Sequence, residues 1–235
     1  MGFIYADELK KEFDVFGHFY DLNIKGQKFK CRSVLEIVRK GFKGLPGQPP
    51  NAVVIMMNPG SSRPNDKNYK EKVFSLKEIE SANWPKELVS TRPDNAQYQI
   101  MRVMLDQNWK HVRVLNLSDL RDGSSGCFQK KFLTAAALCS YHPHSMFNQK
   151  RRKELLSSVA MRGKKIIIVA WGSLNVLNGL AKEALGALDS NKVIGINHDG
   201  KETSFRHASP YRKDQKLKWL QGIQEKINKI RSQNK

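Results

Sequence analysis

The chain of 235 residues can bury a substantial core, and its length suits one α/β domain better than two small ones. Lys and Arg number 41 against 22 Asp and Glu, a formal charge of +19 that favours a polyanionic partner. No apolar run reaches transmembrane length and no signal-peptide or lipidation pattern is read at either end, so a membrane is set aside for nucleic acid, and a soluble, cytoplasmic monomer is expected. Cys31, Cys127 and Cys139 are widely spaced and form no Cys-x-x-Cys pair, which argues against a disulfide framework, a structural zinc or an iron–sulfur cluster. His142 and His144 lack nearby carboxylates or thiolates, and neither a Walker loop nor Gly-x-Gly-x-x-Gly occurs, so no metal and no nucleotide cofactor is expected.

In chain order, Phe16 to Ile24 and Phe29 to Ile37 flank Lys-Gly-Gln and predict a hairpin, after which KGFKGLPGQPP reads as a Gly/Pro connector. Residues 1–50 are thus expected to form an N-terminal extension packed on a domain spanning 51–235. Val53 to Met57, an unbroken apolar run, predicts a strand covered on both faces, and Asn58-Pro59-Gly60 stops it. Arg63 to Pro93 is too long for an ordinary connection and predicts one short helix at Leu76 to Ser81. Helical spacing over Tyr98 to Asn108, Lys150 to Met161 and Leu174 to Leu188 alternates with strand candidates at Val112 to Leu117, Ile166 to Ala170 and Val193 to Ile196. A last helix, from about Asp214, aligns Leu217, Leu220, Ile223, Ile227 and Ile230 in one stripe. The alternation predicts an α/β fold: three α/β/α layers around a central, mainly parallel four-stranded sheet. Cations cluster between Phe128 and Lys165, Arg151, Arg162 and Lys164 among them, against the single acid Glu154.

Polar marks follow the four core strands in turn: Asn58, Asn116, Trp171-Gly172-Ser173 and, on a loop beyond the last, His207-Ala208-Ser209-Pro210. Parallel strands would bring them to the carboxyl edge, where open α/β sheets bind ligands. Each has a plainer reading too: Asn58 and Asn116 as turn residues, His207 as a surface-loop histidine, the serines as caps. Taken together and in this order, the marks resemble the uracil-DNA glycosylase superfamily over roughly Val53 to Arg212. They also resemble a prokaryotic family of uncertain function that shares the first three motifs. NPG is similar to the mismatch-specific uracil and thymine branch, whereas HASP is similar to the HPSP of the uracil-specific branch, so no branch's detailed specificity transfers.

The resemblance implies that Asn58 holds the attacking water through its side-chain oxygen and that His207 donates a hydrogen bond to O2 of the departing base. An amide cannot accept the proton at neutral pH, so Asn58 orients more than it activates. Asn116 by the same match reads the base edge, and Phe74, or else Tyr69, stacks on it, with a core role for Phe74 equally open. Ser61, Ser173 and Ser209 are matched to phosphate contacts. Gly60 replaces a Tyr that blocks pyrimidine C5 in the uracil-specific branch, which predicts an open pocket floor. Tyr211 and Arg212 replace a Leu-Ser pair whose Leu wedges into the base stack, so one of them would fill that place. The expectation is a monofunctional DNA glycosylase removing a C5-modified pyrimidine, such as the glucosylated hydroxymethylcytosine of phage DNA, in an antiviral role. Repair of uracil or mismatched thymine is the alternative, and a non-catalytic nucleic-acid-binding module on the same fold is the alternative of another class.

Overall fold

The computed structural model describes residues 3–43, 48–81, 84–161, 163, 165–198 and 200–232. Residues 44–47 of the Gly/Pro connector lie outside the described residues, as do Arg162 and Lys164 of the basic cluster. After helix α1 (Ala6–Glu12), strands β1 (Phe13–Ile24) and β2 (Gln27–Arg39) form an antiparallel hairpin. Lys25 and Gly26 turn it with φ of 50° and 89°, the two left-handed residues that a tight turn between right-twisted strands needs.

Strand β3 (Ala52–Met56) follows, with every side chain buried. The long segment after it adds β4 (Arg63–Pro64), β5 (Lys72–Ser75), helix α2 (Leu76–Glu80) and β6 (Val89–Arg92). Helix α3 (Asn95–Asp106) leads to β7 (His111–Asn116), and α4 (Ser125–Leu138) and α5 (Arg152–Ser158) lead to β8 (Ile167–Val169). Helix α6 (Asn178–Ala187) precedes β9 (Val193–Ile194), and a two-stranded ribbon, β10 (Asn197–His198) with β11 (Lys201–Phe205), precedes the terminal helix α7 (Lys213–Ser232).

The fold is α/β, and its centre is the expected parallel set, β7, β3, β8 and β9 in that spatial order. The sheet is larger than four strands, however: nine join it among the described residues. The hairpin read as an extension is hydrogen-bonded into the same sheet, β2 running antiparallel to β7, with β5 and β6 added along β1 and β4 paired to β6. A buried carboxylate, Glu36 on β2, locks that junction by accepting from Arg113 Nε at 2.6 Å and pairing with His111 Nε2 at 2.8 Å on β7.

Helices cover both faces. On one, α3 and α7 bury Ile100, Met104, Trp219, Ile223 and Ile227; on the other, α4, α5 and α6 bury Phe128, Phe132, Leu155, Leu180 and Ala184. The terminal helix turns Trp219, Ile223 and Ile227 inward and leaves Leu217 exposed, so its stripe is rotated from the expected one because the indole takes the central place. Helix α4 was not expected; its inward residues, Phe128, Phe132 and Ala135, fall at helical spacing among lysines. Among the described residues, no helix is long and apolar enough to cross a membrane.

Candidate active site

The chain runs from β3 to β7 on one side and later to β8 on the other, so β3 lies at the point where the strand order reverses. Helix crossovers there leave a crevice at the carboxyl ends of the strands. A cleft of about 740 Å³ occupies it, lined by Met57, Asn58, Asp94, Gln97 and His207 among others. Residues separated by more than a hundred positions in the sequence, Asn58 and His207, thus share one cavity.

Asn58 is held by its amide nitrogen, which donates to the carbonyls of Asp122 at 2.7 Å and Leu120 at 3.4 Å. Both carbonyls belong to the loop after β7, which Lys131 steadies through Asp122 at 3.0 Å. With Nδ2 committed to those carbonyls, Oδ1 is left as the free acceptor of a residue that lines the cleft.

His207 is placed by the Trp-Gly motif. Gly172 N donates to Phe205 O at 2.7 Å, Trp171 Nε1 donates to Thr203 O at 2.8 Å, and the two rings meet edge to face at 5.1 Å. Gly172 takes φ of +83°, which only glycine adopts cheaply. These bonds clamp β11, whose end delivers His207 to the cleft. Ser209 N donates to His207 Nδ1 at 3.2 Å, so Nδ1 is the acceptor and Nε2 carries the proton. Burial lowers the His207 pKa, keeping the imidazole neutral at physiological pH. The ring is therefore a neutral donor.

A group the motifs do not contain completes the arrangement. Asp94 caps α3, its Oδ1 accepting from Ala96 N at 3.0 Å and Gln97 N at 3.2 Å, while Gln97 Oε1 accepts from Asp94 N. Its second oxygen lies 2.6 Å from where a Cβ on Gly60 would stand, and Gly60 has φ of +64°. The expected open floor at Gly60 is therefore filled: a carboxylate from the far end of the long segment occupies the space the missing side chain leaves.

Other expected residues fall differently. Phe74 is buried in a cluster with Tyr20 and Trp84, and half-buried Tyr69 also stays outside the cleft lining, so neither expected stacking ring is there. Phe74 pairs into the sheet through Leu22 on β1, which makes it a core residue. Ser173 is exposed away from the cleft, whereas Ser61 and Ser209 line it. Tyr211 lines the rim and is 98% exposed, as a wedge would be; Arg212 is instead held by Asp214 through two bonds of 3.0 Å. Asn116 does not line the cleft. It ends β7 in register with Met56, which does, and it is 1% exposed with neither side-chain atom bonded.

Further depressions continue the cleft on both sides. One of about 420 Å³, carrying Lys10, Arg63 and Arg92, shares Ser61, Asp94 and Asn95 with it. Another of about 540 Å³, carrying His198 and Lys218, shares His207 and Pro210. Arg63 and Arg92 are exposed, directly opposite one another on β4 and β6, and make no ion pair among the described residues. Not every cation of the basic cluster serves a surface: Arg151 is buried, bound to Asp119 at 2.8 Å and to both oxygens of Glu154. Compared with known proteins, the chain matches no family model, no curated protein and no solved structure.

Proposed function

We propose that the chain is a DNA glycosylase that draws a flipped pyrimidine nucleotide into the cleft and hydrolyses its N-glycosidic bond. The observation that carries this reading is the meeting of an acceptor amide, a carboxylate and a neutral histidine donor, Asn58, Asp94 and His207, in one cleft at the strand-order reversal. Breaking the bond from C1′ to the base leaves positive charge on the sugar and the electron pair on the base. Asn58 Oδ1 orients a water beneath C1′, its oxygen bonds to C1′, and its proton passes to the Asp94 carboxylate. The Nε2–H of His207 donates to the base as it departs with the electron pair. Donors aimed at developing charge in a shielded site supply most of the rate in such schemes.

The flanking depressions carry the strand on either side of the flipped nucleotide, and their cations account for part of the excess positive charge. The cleft is large, and Asp94, Gln97, Asp122 and Lys216 give it a polar lining that suits a hydroxylated or glycosylated C5 substituent on cytosine. Gly60 no longer argues for such a substrate, since Asp94 fills the space beside it. DNA carrying C5-modified cytosines would make the role antiviral, whereas uracil or mismatched thymine would make it repair. The test is single-turnover incubation with duplex and single-stranded oligonucleotides bearing uracil, a thymine mismatch, hydroxymethylcytosine or glucosylated hydroxymethylcytosine, read as alkali-labile abasic sites. Release of the modified cytosine is expected; bound but intact DNA across the panel selects the non-catalytic binding module.

A further inference from the structure

We propose that Arg32 is a catalytic residue acting on the leaving group: its guanidinium binds acceptor atoms of the flipped pyrimidine and stabilises the negative charge the base gains as its bond to C1′ breaks. The inference rests on the glycosylase reading above. Arg32 lies on β2, opposite Phe19, and belongs to none of the strand-end motifs. It lines the cleft and is 1% exposed. Among the described residues its guanidinium makes one hydrogen bond, from Nη1 to the Pro59 carbonyl at 3.3 Å, and no ion pair, while the enclosed Nε has no partner.

Charged neighbours do not account for it. Asp94 and Asp119 attract Arg32 and Arg121 repels it, all from beyond ion-pair distance. Asp119 is committed to Arg151 at 2.8 Å and to Tyr20 at 2.7 Å. An arginine offers a planar fork of donors, and burying one with most of them idle destabilises a fold unless something else meets them. Propping the turn at Pro59 would need a single donor. The cleft-facing remainder of the fork matches a planar ligand rich in acceptors, which a pyrimidine edge is. Burial pushes the pKa down to about 10, which still leaves the group cationic at neutral pH.

In the reaction the electron pair of the C1′–N bond passes to the base and spreads to its ring acceptors. Arg32 and His207 donate hydrogen bonds to that anion and lose no proton, while water supplies the oxygen to C1′ and its proton goes to Asp94. A cation placed there matters most for poor leaving groups. The test compares the full chain with Arg32→Met in single-turnover release across bases of graded acidity, drawn from whichever series the wild type accepts: thymine, uracil and 5-fluorouracil, or 5-methyl-, 5-hydroxymethyl- and 5-formylcytosine. The variant should lose about a hundredfold or more with the least acidic base and only a few-fold with the most acidic, with a melting temperature equal to or above wild type. Equal slowing of every base, or none, overturns the proposal and returns Arg32 to the turn. Should Arg32→Met fail to fold, Arg32→Gln, which removes the charge but keeps an amide donor, must show the same steepened dependence. A wild type that releases no base from any of these substrates or from glucosylated hydroxymethylcytosine removes the glycosylase reading and this inference together.

Discussion

Asp94→Asn separates the two tasks of that carboxylate. The cap on α3 uses Oδ1, which accepts from Ala96 N at 3.0 Å and Gln97 N at 3.2 Å, and an asparagine oxygen can take the same two bonds. Asn and Asp cap helices about equally, and losing one charge at a helix start costs about 0.3–1 kcal/mol, so the variant should melt close to wild type. What disappears is the proton acceptor on the Gly60 side of the cleft. Loss of a general base slows a reaction by about 10²–10⁴-fold, which is about 3–5 kcal/mol of barrier. Asp94→Ala loses the cap as well and should also melt lower, by about 1 kcal/mol of stability. Single-turnover base release, measured beside a melting curve, separates the two effects, and added formate should restore part of the Asp94→Ala rate by supplying a carboxylate to the vacated space. Full activity in Asp94→Asn at unchanged stability would refute the reasoning and leave Asp94 a helix cap alone.

Asn58→Ala should cut release by about a hundredfold while leaving folding nearly unchanged, whereas Asn58→Asp should retain activity; single-turnover rates and thermal melts check both. His18 and His144 are pushed down to about 3, chiefly by burial, so both are neutral in the fold and protonate more readily when it opens. Their contribution is complete above the unfolded value near 6.5 and is lost as pH falls toward 3, at about 1.4 kcal/mol per pH unit for each histidine; melts between pH 7 and pH 4 should show that loss beginning below about 6.5. Arg63→Gln with Arg92→Gln should flatten the slope of log affinity for DNA against log salt by about 1.8, while thermal stability without DNA holds or rises because like charges no longer face each other.

The parallel centre of the sheet is legible because β3 and β8 are short unbroken apolar runs with turn signals at their ends, as doubly covered strands are, and β7 sets β-branched Val112 and Val114 ahead of Leu115 despite His111 and Arg113. The hairpin's place in that sheet is not, since nothing local says which strand β2 pairs with; Glu36 meets Arg113 only across the register. Asp94 and Gln97 do spell a helix start, Asp-x-x-Gln, but the approach of the carboxylate to Gly60 is a tertiary fact. Arg32 follows Lys28 and Lys30 at two-residue spacing, and those two are exposed. The same face becomes enclosed only where the hairpin passes beside the Asn-Pro-Gly turn. Phe74 shows the converse difficulty: an aromatic in a short strand, between Val73 and Ser75, reads alike in a core and at a base-stacking position, and here the sheet buries it.

The central claim is that water adds to C1′ while the base leaves whole. Running the reaction on a modified-cytosine duplex in ¹⁸O-labelled water and weighing both products tests it most directly. The account predicts one heavy oxygen on the abasic sugar and an unlabelled, otherwise intact free base. Label in the base, or DNA recovered unchanged after binding, would contradict it.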